Sequence, residues 1–227
     1  EEDFEGVDIW GLSEVRASNA HLYVSRAGEG ESADYRGVLG TTGGDDRLLA
    51  IYDASQFARV QDIEIEDLAF GGGRAPLALR LVQLATGHEF FFIVNHFHRT
   101  SAEKRLKQAV GLREWALDQG LPVIAVGDFN FDFDVPDGPG NPAFAALVID
   151  NTFKWIKPES LVTTNWSDRD NDGVNDFNSV LDFAFVSGLA QLWEAQSHVL
   201  VRDGDFPDTT STSDHRPVVL VIDPSSL

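Results

Sequence analysis

Short runs with the apolar content or the alternation of β-strands recur along this chain, and only two stretches have the spacing of an amphipathic helix. We predict helices over residues 17–28 and 101–119. We predict strands over residues 7–15, 35–40, 47–53, 58–68, 77–85, 87–97, 122–127, 179–187, 192–201 and 216–222. Many strands with few helices predict an α/β protein with a strand-rich core.

Composition narrows the class of protein further. The 227 residues are 43% hydrophobic, which is enough for one sizeable core and predicts a single domain over residues 1–227. No apolar run approaches the roughly 20 residues that cross a bilayer, so we expect no transmembrane segment. The absence of cysteine excludes disulfides and thiolate chemistry. A net charge of -20 disfavours tight non-specific binding of nucleic acid, although a divalent cation in a site can invert the local field.

Polar side chains interrupt, follow or directly precede several of the predicted strands. These side chains are Glu14, Asn95, His96, Asp128, Asn130, Asp214 and His215. Each of them alone fits an ordinary strand end or turn, and their shared position favours a site. Asp182 lies inside the apolar strand 179–187, where an unpaired charge is costly, and His215 is its natural partner.

The order of these motifs resembles the endonuclease/exonuclease/phosphatase superfamily, whose founding fold is that of deoxyribonuclease I. The matching stretches, in chain order, are "DIWGLSEV", "VNHFHR", "RLKQA", "GDFN", "LDFAFVS" and "SDHRPV". The resemblance covers residues 7–222 and implies a four-layered α/β sandwich, with two packed, mainly antiparallel β-sheets flanked by helices. Members of this family open with a strand that ends in an asparagine near the metal. No residue before 7 supplies such a strand, so we expect the domain to lack it.

The resemblance also implies roles for the polar residues. Glu14 is the main metal ligand, with Asp214 on or near the metal, and the oxygen ligands suit Mg²⁺ or Mn²⁺. Asp128 orients or deprotonates the attacking water, and Asn130 holds that water and a phosphoryl oxygen.

Histidines and basic residues complete the implied site. His215, oriented by Asp182, donates to the phosphate, and His96 acts across it as a second donor or leaving-group acid. The candidate substrate-binding residues are Arg74, Asn95 and Arg105.

A second motif, "DRDNDGVND", spaces its acidic residues like the start of a calcium loop. The candidate ligands are Asp168, Asp170, Asp172, Val174 and Asp176. Because position twelve would be Ser179 rather than glutamate, a complete EF-hand is not expected. The alternatives are a structural Ca²⁺ site and a solvated acidic loop.

We therefore predict a divalent-metal-dependent phosphoesterase, in first place a secreted endonuclease or phosphodiesterase that acts as a monomer. The expected partner is a phosphodiester substrate, either nucleic acid or a small phosphoester. One alternative is a phosphatase or phospholipase-type hydrolase of small phosphorylated compounds. Another is a non-catalytic calcium-binding module on the same fold. An acidic surface together with a calcium loop favours an extracellular or periplasmic location.

Overall fold

A computed structural model describes residues 6–135, 138, 140–168, 170, 172–206 and 212–224 of the chain. Its strands are β1 (Ile9–Val15), β2 (Tyr35–Leu39), β3 (Arg47–Asp53), β4 (Phe57–Glu64), β5 (Leu77–Gln83), β6 (Glu89–His96), β7 (Val123–Phe133), β8 (Phe153–Trp155), β9 (Asn165–Ser167), β10 (Phe177–Ser187), β11 (Glu194–Val199) and β12 (Val218–Asp223). Its α-helices are α1 (Ala20–Ala27), α2 (Ala102–Gln119) and α3 (Pro142–Val148). None of the helices in these residues is long and apolar enough to cross a membrane.

The strands form three sheets. The largest has the order β4-β5-β6-β7-β10-β8, with β9 paired to the end of β10. A second sheet has the order β1-β3-β2, and β11 pairs with β12. Among these pairings only β6–β7 is parallel, and α2 is the helix that crosses between those two strands.

The helical face of the large sheet is packed with apolar side chains. Phe91 and Ile93 of β6 lie in the same buried cluster as Ala109 and Leu112 of α2. Ser101 caps the start of α2 by accepting a hydrogen bond from the Lys104 N–H. This packing fixes α2 against the strands that precede and follow it.

The opposite face of the large sheet packs against the second sheet. Because side chains alternate along a strand, Phe92 and Val94 of β6 point away from α2 and share a cluster with Leu48 and Ala50 of β3. Gly11 of β1 allows the two sheets to approach closely, since a Cβ there would lie 2.7 Å from a methyl group of Val126.

The outer face of the second sheet is covered by α1. Leu49 and Ile51 of β3 face away from the large sheet and pack with Ala20 and Val24. The layers are therefore α1, the β1-β3-β2 sheet, the large sheet, and α2 with α3. This arrangement confirms the predicted α/β sandwich.

Strand β7 departs from regular pairing where the site residues lie. Val180 of β10 pairs with Phe133, but Asp182 pairs with Asp128, so four residues of β7 bulge opposite one residue of β10. Asn130, at φ 49°, lies in the left-handed region within this bulge. Phe129 and Phe131 are fully buried and anchor the bulge in the core below α3.

Some elements differ from expectation. β7 continues through the predicted turn as far as Phe133, and α3, β8 and β9 were not predicted because each is short. β1 is the first strand of the described residues and lies at the edge of its sheet. Residues 1–5 are outside the description, so the single domain without an earlier strand stays a prediction.

The position directly before Asp128 requires glycine. The φ of Gly127 is 120°, and a Cβ there would lie 2.2 Å from the Asn95 carbonyl oxygen. We expect Gly127→Ala to lower the free energy of unfolding by at least about 3 kcal/mol, through backbone strain and a clash with the neighbouring strand. Gly87→Ala is the matched control, since Gly87 has φ 75° and no atom within 4 Å of an added Cβ. Urea denaturation measures both, and equal losses would contradict the importance of this contact.

Candidate active site

Neighbouring strands of the large sheet bring three ionisable side chains together. The parallel register of β6 and β7 pairs His96 with Asp128, and the antiparallel register of β7 and β10 pairs Asp128 with Asp182. Glu14 approaches from β1 of the facing sheet, with its Oε1 3.8 Å from His96 Nε2. Residues far apart in sequence therefore converge because the two sheets are packed face to face.

Asp128 is the centre of this group. Its side chain is buried, and its oxygens accept hydrogen bonds from the Asn130 backbone N–H at 2.8 Å and from Asn130 Nδ2 at 2.9 Å. Burial, together with the nearby negative charge of Asp182, raises the pKa of Asp128 to about 8. Asp128 therefore binds a proton more tightly than an ordinary aspartate does.

His96 lies beside Asp128 and is neutral. Its Nε2 is 3.3 Å from Asp128 Oδ2, and its ring is buried. Burial and the positive charges of Arg74, His215 and Arg99 lower the pKa of His96 to about 3. Its Nδ1 has no hydrogen-bond partner in the part of the chain that the structure describes.

His215 has the opposite electrostatic character. Its Nδ1–H donates to Asp182 Oδ2 at 2.8 Å. Burial opposes protonation of the ring, but the charges of Asp182, Asp128 and Asp214 outweigh it and raise the pKa of His215 to about 10. At pH 7 the site therefore holds one neutral and one cationic imidazole.

Two residues that sequence reasoning missed hold this pair in place. Asn165 is buried in β9, and its Nδ2 donates to the Asp214 carbonyl oxygen at 3.1 Å. Thr164 Oγ1 accepts hydrogen bonds from the N–H groups of Leu181 and Asp182. A lone Thr-Asn pair has no sequence signature, so only the fold reveals this support.

Glu14 and the unpredicted Asp46 converge with His96. Their ligand atoms lie within 4.8 Å of one another, which is close enough to hold one cation. Carboxylate oxygens are the ligands that Mg²⁺ and Mn²⁺ prefer, and Asp128 and Asp182 add further negative charge nearby. The donor set therefore fits the implied metal. Asp214 is not a member of this group.

The three candidate substrate-binding residues have different surroundings. Arg74 forms an ion pair with Asp46 and borders His96 in a cavity. Asn95 is fully buried, and its Nδ2 donates to the carbonyl oxygens of Ile93 and Val126. Arg105 donates to the backbone carbonyls of the 98–99 segment. Arg74 therefore lines a cavity, whereas the hydrogen bonds of Asn95 and Arg105 described here go to the main chain; a role in substrate binding stays a prediction for all three.

The acidic loop connects β9 to β10. Asp168, Asp170 and Asp176 have carboxylate oxygens within 4.8 Å of one another, and Asp172 is not in this group. The N–H groups of Asp172 and Gly173 donate to Asp168. The side chain of Val174 is exposed, as expected for a residue that would offer only its carbonyl. Residues 169 and 171 are outside the description.

Comparison with known proteins identifies relatives of this fold. The model of the endonuclease/exonuclease/phosphatase family matches residues 3–215. No curated protein matches the sequence significantly.

Several solved structures have a similar fold. A mannosyl-6-phosphatase from Bacteroides thetaiotaomicron is 20% identical, with a TM-score of 0.68 over 97% of this chain and 86% of that one. The human Nocturnin catalytic domain with bound sulfate is 20% identical, with a TM-score of 0.64 over 95% and 81%. D. rerio TDP2 complexed with single strand DNA product is 15% identical, with a TM-score of 0.68 over 95% and 85%. At these identities the likeness establishes the fold alone.

The His215–Asp182 pair predicts a pH dependence for the metal-free protein. Because the folded pKa of His215 is raised from 6.5 to about 10, the pair contributes its full stabilisation below pH 6.5 and loses it as the pH rises through 10. We expect Asp182→Asn to lower the His215 pKa by roughly 1–3 pH units, as measured by NMR titration in EDTA. The difference in unfolding free energy between wild type and variant should be larger at pH 6 than at pH 10. The exposed Asp203→Asn is the control, and an unchanged His215 titration would refute the coupling.

Proposed function

The chain belongs to the endonuclease/exonuclease/phosphatase family, whose members hydrolyse phosphoester bonds, and on this basis we propose that it is a divalent-metal-dependent phosphodiesterase. The supporting observation is the position of Asp128. It is buried between neutral His96 and the Asp182–His215 pair, so a base, a neutral hydrogen-bond donor and a cationic proton donor lie next to one another.

We propose the following roles. Asp128 accepts the proton of the attacking water, and Asn130, locked to Asp128 through two hydrogen bonds, keeps the carboxylate oriented. His215 remains protonated at pH 7 and donates from Nε2 to a phosphoryl oxygen, while Asp182 holds its Nδ1. His96 donates from Nε2 on the other side of the phosphate.

The metal would be held by Glu14 and Asp46, with Asp214 as a further candidate on or near the ion. When bound, Mg²⁺ or Mn²⁺ supplies charge neutralisation for the phosphoryl oxygens. Asp46 also pairs with Arg74, so this arginine keeps the carboxylate pointed toward Glu14.

A second candidate function is hydrolysis of small phosphorylated compounds, as by a phosphatase or a phospholipase. The acidic surface favours it, because a net charge of -20 repels a nucleic-acid strand at long range. The similar mannosyl-6-phosphatase also acts on a phosphomonoester, as its name states. The non-catalytic calcium-binding module is disfavoured, because every predicted catalytic side chain is present.

The cellular location of the protein and the role of its acidic loop are proposed together. We propose that the protein acts as a monomer outside the cytoplasm, where millimolar calcium could occupy a loop of modest affinity between β9 and β10. The acidic surface supports this location because it favours solubility.

The decisive experiment compares plasmid DNA, bis-p-nitrophenyl phosphate and p-nitrophenyl phosphate, each with Mg²⁺, Mn²⁺, Ca²⁺ or EDTA. We expect cleavage of the diester with Mg²⁺ or Mn²⁺ and none in EDTA. Asp128→Asn should reduce kcat by roughly 10²–10⁴ because the general base is lost. The same variant should unfold at nearly the same urea concentration at pH 7, because the raised pKa of Asp128 leaves its carboxyl mostly neutral there and the amide that replaces it is neutral as well.

Asp118→Asn is the matched control, because Asp118 is exposed near the end of α2. Turnover of the monoester alone would favour the small-molecule phosphatase. Full activity of Asp128→Asn would overturn the proposed mechanism.

Calcium binding is tested by comparing thermal unfolding in about 2 mM CaCl₂ with unfolding in the same concentration of MgCl₂. We expect Ca²⁺ to raise Tm more than Mg²⁺ does, because a ligand that binds only the folded state stabilises it. Asp170→Asn should abolish the Ca²⁺-specific increase without changing diester hydrolysis in Mg²⁺. Equal shifts with the two metals, or a shift that survives in the variant, would leave the loop as a solvated turn.

A further inference from the structure

A cavity of about 170 Å³ opens beside His96, and Asp128 is not among the residues that line it. Its walls include Arg74, His96, His98 and Arg99. This volume is below the roughly 300–1,000 Å³ of sites that enclose a drug-sized molecule, so it suits a single small group. The positive charge of the walls indicates that the group is an anion.

The hydrogen bonds of His98 also indicate that the cavity suits a group with acceptor oxygens. The Ser101 N–H donates to His98 Nδ1 at 3.3 Å, so Nδ1 carries no proton and the proton of the neutral ring is on Nε2. That Nε2 is 3.5 Å from Lys104 Nζ. An ammonium group has donors and no acceptor, so two donors face each other across this gap. An acceptor oxygen that lies to one side of this pair, about 2.8 Å from each nitrogen, would accept a hydrogen bond from both.

Arg74 is paired with Asp46, but two other cations lack counterions in the described part of the chain: Arg99 in the wall of the cavity and Lys104 beside His98. Among the residues that the structure describes, neither Arg99 nor Lys104 forms an ion pair with a carboxylate, although the chain carries 37 acidic residues and 17 basic ones. Gly71 allows Lys104 to reach this position, because a Cβ there would lie 2.5 Å from Nζ. Unpaired cations around a small cavity are unusual on so acidic a protein.

Two further contacts fix the walls of the cavity. Gln108 Oε1 accepts from the His98 N–H at 2.7 Å, and Arg105 holds the carbonyl oxygens of His98 and Arg99. These bonds come from α2, which is itself fixed in the core. The cavity is therefore preorganised by buried contacts rather than by exposed side chains alone.

We propose that His98, Arg99 and Lys104, with Arg74, form a subsite for a second phosphate group of the substrate, one that is not hydrolysed. This inference rests on the proposed function and defines its substrate class. Because the cavity adjoins His96, the second phosphate lies on the side of the scissile ester that His96 faces. Either the next link of a nucleic-acid strand or a bisphosphorylated small molecule carries such a group.

The first test compares substrates that differ only in a second phosphate. The pairs are thymidylyl-thymidine with and without a terminal phosphate, and glucose 1,6-bisphosphate against glucose 1-phosphate. We expect the second phosphate to raise kcat/KM at least about tenfold in one pair, mainly through KM. The pair that shows the effect identifies the source of the phosphate.

The variant Arg99→Gln/Lys104→Gln should bring this ratio of kcat/KM values to within about twofold of one. Lys107→Gln is the matched control, because it also removes a positive charge from α2, three residues after Lys104. Unlike Lys104, Lys107 forms an ion pair with Glu103. This control should leave the ratio and the activity on bis-p-nitrophenyl phosphate unchanged. A ratio near one in the wild type for both pairs, or a ratio that survives in the double variant, would overturn the proposal.

A binding measurement separates this inference from the proposed function. Inorganic phosphate is titrated into the metal-free protein in EDTA, with the His98 ring followed by NMR. Saturable binding that the double variant loses and Lys107→Gln keeps supports the subsite, even if no ester is turned over. Inactivity on every substrate would overturn the proposed function instead. No phosphate binding in the wild type would overturn the subsite.

Discussion

The site depends on the burial of Asp128 next to a second acid. Two carboxylates in neighbouring strands would repel each other strongly away from water, and the fold offsets this cost with the cationic ring of His215 and with hydrogen bonds from Asn130. The same balance sets the proton affinities of the groups. The pKa of Asp128 is thereby raised, while the pKa of His96 is lowered and that of His215 is raised, so that one imidazole is neutral and the other is charged at pH 7.

The conformation of the main chain also determines the geometry of the site. The bulge in β7 turns Asn130 back toward Asp128, and the left-handed conformation that this requires is held by Phe129 and Phe131 in the core. Strained backbone of this kind persists only where its surroundings determine it. The buried aromatic residues of "GDFNFDF" therefore hold the backbone that positions the polar ones. This explains why apolar and polar side chains alternate so closely there.

Sequence patterns predicted most strands because alternation and apolar runs are local signals, whereas the layers followed from the resemblance to the family. Glu14, His96, Asp128, Asp182 and His215 could be proposed because each belongs to a motif with a recognisable order. Asp46 and Asn165 could not, since one lies in an ordinary acidic loop and the other in a three-residue strand. The hydrogen bonds of Arg105 to backbone carbonyls could not be read from the sequence either, because a guanidinium that binds the main chain and one that binds a phosphate have the same sequence signature.

The packing of the two sheets has a consequence for how the molecule acquires activity. Glu14 on β1 reaches His96 only after the second sheet has docked, and His215 reaches Asp182 only when the segment before β12 has crossed the ends of β9 and β10. Contacts of such long range form late, because their loop-closure entropy must be overcome first. A chain that ends before residue 215 would contain strands β1 to β11 but would lack His215 and its hydrogen bond to Asp182.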